Sequence, residues 1–246
     1  MKKYFLLLFV YLIVSCNKYK LNCNFSGEQK TKTFILDDFD TIEVNPLIQL
    51  KLIDDDHNEI SIKADKNIMD NIDVEIVNRK LKIANNTHCI VKNSKAIAYI
   101  TLKVDDIQQI IANTDLKIIS GNTLHFNYLK LTCENSVVGT NNLCDFDLNL
   151  QVNKLDIVAN GRSIFKVTGN VHQLFVGFYG VAPVFQGENL IANTVRVFQR
   201  SSNDIHVYPL NKISGDLFGY GDIYIYHHPQ IFNITEHGRG HIYFVN

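Results

Sequence analysis

Two columns of apolar residues recur through the second half of the chain at a spacing near twenty residues. One runs Phe146, Phe165, Phe185, Ile205, Ile223 and Ile242, with gaps of 19, 20, 20, 18 and 19. The other runs Leu155, Leu174, Val195, Ile213 and Phe232, with gaps of 19, 21, 18 and 19. Self-similarity at a fixed period outranks any local motif as a guide to architecture, because each unit must bury its apolar side chains against its neighbours. Two columns in step mean two strands per unit. Polar or glycine-bearing turns lie between them, among them Ala159-Asn160-Gly161-Arg162, Ser201-Ser202-Asn203-Asp204, Gly219-Tyr220-Gly221-Asp222 and Gly238-Arg239-Gly240-His241. Short strands without helical periodicity predict an all-β fold, a β-solenoid with about 18–22 residues per coil and about seven coils across residues 107–246.

The first half carries the same two-residue alternation without the repeat. TIEV at 41, LIQLKLI at 47, EISIKA at 59, DVEIV at 73, LKIA at 81 and AIAYITLKV at 96 each have the period of a half-buried strand. Only Asp65 to Asn71 (DKNIMDN) suits a short helical turn. Residues 17–32 are polar and aperiodic and are expected to form a tether, with one folded domain over residues 33–246. Hydrophobic residues make up 46% of 246, enough for a core of that size, and the formal charge of −1 comes from 24 basic and 25 acidic residues spread along the chain. Without a basic stripe to neutralise phosphates, nucleic acid is not an expected partner.

The amino-terminal sixteen residues address the chain to a membrane. Lys2 and Lys3 precede an apolar run from Tyr4 to Val14, eleven residues, too short to span about 30 Å of hydrocarbon. The run ends Ile13-Val14-Ser15-Cys16, which resembles the lipobox of bacterial lipoproteins. The resemblance implies a signal peptide over residues 1–15, cleavage before Cys16, and acylation of the Cys16 thiol and the new amine, several chains holding far more firmly than one. The expected location is the cell envelope, on the outer membrane, facing the periplasm or the surface. Four further cysteines, Cys23, Cys89, Cys133 and Cys144, lack metal-ligand spacing. In an exported chain they either pair, in one of three ways, or remain buried thiols.

No sequence motif carries catalysis or a cofactor. GYGDIYIY (219–226) and GRGHIYFV (238–245) lack the third glycine, the Gly-Lys-Ser/Thr and the following helix of phosphate-binding loops, and are read as coil corners whose glycines supply positive φ. Nine histidines invite a metal reading, yet neither His227-His228 nor the Asp54-Asp55-Asp56 run has recognisable ligand spacing. With the coils in register, Asp204, Asp222 and His241 form one polar column, the basis of an alternative reading as an enzyme acting on polysaccharide. Alternation places Tyr224 and Tyr226 opposite Ile223 and Ile225; together with Tyr243 they are the candidate ligand face.

With these features assembled, residues 33–246 resemble the bacterial family of the "putative auto-transporter adhesin, head GIN domain". The resemblance rests on Phe39-Asp40-Thr41-Ile42-Glu43-Val44, on Ile60 to Ile68, on Val74 to Ile83, and on the Gly-x-Gly-Asp-Ile turn at 219–223. It implies a right-handed parallel β-helix and an adhesin-like, non-enzymatic lipoprotein, and brings no catalytic, metal or cofactor residues with it. Ala112-Asn113-Thr114-Asp115-Leu116 departs from the glycine-rich first turn of that pattern. The expected function is therefore display of a β-face to a glycan or protein partner. A structural, self-associating envelope protein is the third reading.

Overall fold

The computed structural model describes residues 25–87, 96–134 and 143–245. The signal peptide, Cys16, Cys23 and Cys89 lie outside them. Seventeen strands join in one mixed sheet, curled as an open half-barrel. No α-helix occurs among the described residues, and the predicted helical turn is a 3-10 turn at Met69–Asn71.

The repeat region holds the longest strands, β11 (Leu143–Ala159), β12 (Arg162–Phe178) and β13 (Ala182–Gln199), followed by β14 (Ile205–Leu217), β15 (Ile223–Ile225), β16 (Ile231–Glu236) and β17 (Ile242–Phe244). They pair in parallel. Leu143 lies beside Arg162 and Ala159 beside Phe178, so β11 runs alongside β12 at a nineteen-residue offset, and the later repeats pair at offsets of 17 to 21. Only two residues separate Ala159 from Arg162. A straight strand of this length would end roughly 50 Å from its start, so the strand must turn back on itself. The turn is visible in the burial pattern of β11: Cys144 to Val152 point inward at even numbers, Asn153 and Lys154 are both exposed, and Leu155 to Ala159 point inward at odd numbers. Each repeat thus has a first leg and a second leg, and the two apolar columns of the sequence are their inner faces. Phe146 stacks on Phe165 at 5.0 Å, and Phe185, Ile205 and Ile223 continue the column fully buried.

Asparagines mark the corner between the legs. Asn153 Nδ2 donates to Asn127 Oδ1 at 3.3 Å, Asn193 bonds the His172 ring, and Asn211 bonds Asn193. Such a ladder satisfies polar groups where the ladder of strand pairs bends.

The expectation of a right-handed parallel β-helix over residues 33–246 is met only in its coarser part, an all-β fold: the sheet is mixed, and strands reverse direction at its amino-terminal end. Strands β2 (Thr41–Val44), β3 (Ile48–Asp54), β6 (Lys80–Asn85), β7 (Ala98–Val104), β8 (Gln109–Ala112), β9 (Lys117–Ser120) and β10 (Leu124–Cys133) extend the parallel stack. Strands β1 (Gln29–Ile35), β4 (Glu59–Asp65) and β5 (Ile72–Val77) instead run antiparallel, as β1–β4, β4–β7 and β5–β6. A stack of parallel coils leaves open strand edges, and a chain that doubles back covers them. The β5–β6 reversal uses Asn78 and Arg79 at φ 50° and 61°, the left-handed pair of a tight hairpin. Strand β1 also takes in residues 29–32, which the sequence suggested as tether; every β1 residue is exposed, and Lys30 and Lys32 make the outer edge a poor template for further pairing. Cys133 and Cys144 form a disulfide across eleven residues of chain.

Candidate functional site

The glycine corners stack as expected, but for a different reason. None of Gly219, Gly221, Gly238 and Gly240 has positive φ; among the described glycines only Gly27, Gly169 and Gly215 do. What excludes a side chain is the neighbouring coil. A Cβ on Gly221 would lie 2.0 Å from the Asn203 carbonyl oxygen, one on Gly240 2.2 Å from that of Gly221, and one on Gly219 2.2 Å from that of Ser201. Backbone rests directly on backbone at this corner, and Gly221 N donates to Ser201 O as Gly240 N does to Gly219 O, both at 3.1 Å.

The acidic column stands beside these glycines and is occupied in holding them. Asp204, Asp222 and His241 are in register, as the spacing predicts. Asp204 Oδ1 accepts from the backbone N–H of Asp222 at 2.8 Å, and Asp222 Oδ1 accepts from that of His241 at the same distance. Each carboxylate therefore caps the corner one coil further on, a role the Asx side chain performs in turns generally. The carboxylates follow one another along the stack instead of converging across a groove, which is the geometry acid–base cleavage of a glycosidic bond needs. The remaining candidates are equally dispersed. His237 bonds Asp216, His227 bonds the Pro209 carbonyl, and His228 stacks on Phe244. Asp55, Asp56 and His57 do gather at an exposed tip, where the Asp56 hydrogen bond raises the His57 pKa.

Tyr224, Tyr226 and Tyr243 face outward from the first legs, opposite fully buried Ile223 and Ile225. Strand register sets His206, Tyr224 and Tyr243 side by side on three successive coils. Their rings stack, His206 on Tyr224 at 4.8 Å and Tyr224 on Tyr243 at 5.3 Å, and the Tyr226 hydroxyl bonds His206 Nδ1 at 2.9 Å. Partial burial, then Asp204 and Asp222 nearby, raise the Tyr224 pKa, and burial does the same for Tyr226, so both phenols stay neutral and able to donate at physiological pH. Stacking has consumed both faces of Tyr224. Tyr243, 44% exposed, has Tyr224 on one face and no stacked ring on the other among the described residues. Around it, Phe244, Phe232 and Ile231 are also exposed on the last strands, β16 and β17. The ligand face that alternation suggests is thus a ladder of ring edges ending in one open ring. His206, the base of the ladder, was not among the residues the sequence marked for this face; its register with Tyr224, eighteen residues on, is the signal that finds it.

The family model described as "Putative auto-transporter adhesin, head GIN domain" matches residues 38–229. The chain belongs to this family. GIN-domain architecture recurs in crystal structures of distant proteins. A "putative adhesin" from Bacteroides fragilis NCTC 9343 shares 20% identity and superposes with a TM-score of 0.80 over 89% of this chain and 98% of that one. Another from Parabacteroides merdae ATCC 43184 shares 16% identity with a TM-score of 0.65, covering 90% and 98%. A "Putative lipid binding protein" from Parabacteroides distasonis ATCC 8503 shares 17% identity with a TM-score of 0.61, covering 89% and 98%. At such identities the likeness shows the GIN fold alone. No curated protein matches the chain.

Proposed function

We propose that this GIN-domain chain is a non-enzymatic binding module of the cell envelope, lipid-anchored at Cys16 on the outer membrane, with residues 33–246 as its domain. It displays the Tyr224–Tyr226–Tyr243 face to a glycan or protein partner. In this reading the coils wind right-handed, as parallel crossover connections do in nearly all folds. The observation that carries it is the ring ladder, which ends on an exposed tyrosine of the last described strand: aromatic surface with polar tips is the usual material of recognition. The use of the Asp204 and Asp222 carboxylates in backbone caps speaks for binding over catalysis. The family's adhesin name, and that of its Bacteroides fragilis relative, agree with it.

The test pairs a glycan array with pull-down from envelope extracts, using the full chain and a Tyr224→Ser/Tyr243→Ser variant. Binding lost in a variant with unchanged far-UV circular dichroism is the expected result, and equal binding by both proteins would sink the reading. For the anchor, Cys16→Ala moves the protein from the membrane to the soluble fraction; unchanged fractionation would refute lipidation. A second reading is favoured by Ile231, Phe232 and Phe244 exposed on the unpaired side of the last described strands: two copies meeting edge to edge. Concentration-dependent oligomers abolished by Phe232→Lys, together with a silent array, would select it.

A further inference from the structure

A second surface, on the outer side of the second legs, carries a different chemistry. There a groove of about 570 Å³ runs across five strands, β10 to β14. Two outward columns line it. Tyr128, Lys154, Gln173, Thr194 and Lys212 form one, and Lys130, Asp156, Phe175, Arg196 and Ser214 the other, each set in strand register. The groove therefore holds four cations and one carboxylate in a chain whose formal charge is −1.

That carboxylate is already neutralised. Asp156 Oδ2 accepts from the Tyr128 hydroxyl at 3.0 Å and lies 3.3 Å from Lys154 Nζ. Burial and then the Asp156 hydrogen bond push the Tyr128 pKa up to about 12, so the phenol remains a donor. Lys130, Arg196 and Lys212 have no carboxylate within ion-pair distance among the described residues. Arg196 lies with its guanidinium 4.3 Å from the Phe175 ring centre. Stacking fixes the plane of an arginine while leaving its edge donors free, the arrangement that grips a carboxylate or sulfate with two hydrogen bonds.

We propose that this groove binds an acidic glycan, a chain bearing carboxylate or sulfate groups, laid along the stack. Lys130 to Lys212 crosses four strand spacings, roughly 19 Å, the length of a few sugar residues instead of one small anion. Gln173 and Thr194 lie between Lys154 and Lys212, Ser214 follows Arg196 in its column, and all three offer partners to hydroxyls. Single-stranded nucleic acid fits less well, since it needs open aromatic faces for its bases, and the Tyr128 and Phe175 rings already carry Lys154 and Arg196. The site is independent of the tyrosine ladder.

The test is titration of the full chain in detergent with polygalacturonate, dextran sulfate, neutral dextran and a poly-dT oligonucleotide. Binding to one of the two acidic glycans, weakened by salt and absent for neutral dextran, is expected. A Lys130→Gln/Arg196→Gln/Lys212→Gln variant loses affinity at least tenfold, while Lys30→Gln/Lys63→Gln/Lys82→Gln, which removes the same charge from exposed positions outside the groove, does not. Arg196→Lys alone, which keeps the charge and the fold, lowers affinity several-fold because the paired donors are gone. The proposal is overturned if neither acidic glycan binds, if the triple variant binds as tightly as the parent, or if the oligonucleotide binds more tightly than both glycans.

Discussion

Replacing Gly221 with alanine puts a methyl group where the Asn203 carbonyl oxygen sits 2.0 Å away, with the Asn203 carbonyl carbon at 2.4 Å and nitrogen at 2.8 Å. All three are backbone atoms, so no rotamer relieves the contact, and the two coils must part by roughly an ångström to restore van der Waals distance. That movement strains two bonds of the corner, Gly221 N to Ser201 O at 3.1 Å and Asp222 N to Asp204 Oδ1 at 2.8 Å. Overpacking of a filled site costs about 1–3 kcal/mol and a weakened hydrogen bond about 1 kcal/mol. Gly221→Ala should therefore destabilise the protein by about 2–4 kcal/mol, a fall in melting temperature of at least about 4 °C for a chain of this size. Gly180, at the equivalent corner two coils earlier, is the control: its Cβ would stand 3.1 Å from the Asn160 oxygen and 3.9 Å from the next atom. Gly180→Ala should cost under about 1 kcal/mol. Urea midpoints compared at unchanged m-value measure both. Equal losses, or a larger loss at Gly180, would refute the claim that coil contact is what demands glycine here.

Two further outcomes follow from local chemistry. Buried Asp65 accepts from the backbone N–H groups of Gly27 (2.6 Å), Asn67 (2.9 Å) and Ser26 (3.2 Å) and from the Ser26 hydroxyl, fastening the segment before β1 to the end of β4. Burial opposes its ionisation, but these donors outweigh burial and hold its pKa below the usual carboxylate value. Because the folded pKa is the lower one, the stabilisation is complete above about pH 4 and is lost as pH falls through the folded value; Asp65→Ala should cost about 1–3 kcal/mol at neutral pH and expose residues 26–35 to protease, with that difference shrinking in acid. An acid profile identical in parent and variant would refute it. Opening the Cys133–Cys144 disulfide, which closes a loop of eleven residues, should lower stability by about 3 kcal/mol in the chain-entropy view, read as a shift of the thermal midpoint on adding dithiothreitol.

The features legible in the sequence were those with a local signature, and the illegible ones depend on register between coils. Strand β2 matches the TIEV segment residue for residue, and β4 and β6 extend their segments by one or two, because alternation reports which face is buried. Alternation is silent on direction, however. EISIKA reads the same whether β4 runs parallel or antiparallel to β7, and so the folding back of β1, β4 and β5 over the amino-terminal coils left no mark in the pattern. The glycines show a similar split: the sequence places Gly221 at a corner, but positive φ and the absence of room for a Cβ leave the same residue there. Among the tyrosines, alternation gives the outward direction of Tyr224, whereas the fact that its faces are covered comes from His206 and Tyr243, each nearly twenty positions away. The basic groove is the extreme case. Lys130, Lys154, Arg196 and Lys212 stand on four different coils, and each alone looks like an ordinary solvated strand position. Only the register of β10 through β14, including the irregular steps of β13 against β14, brings them to one surface. In a stacked fold of this kind, function is written down the columns, and a column can be read only once the length of every coil is known.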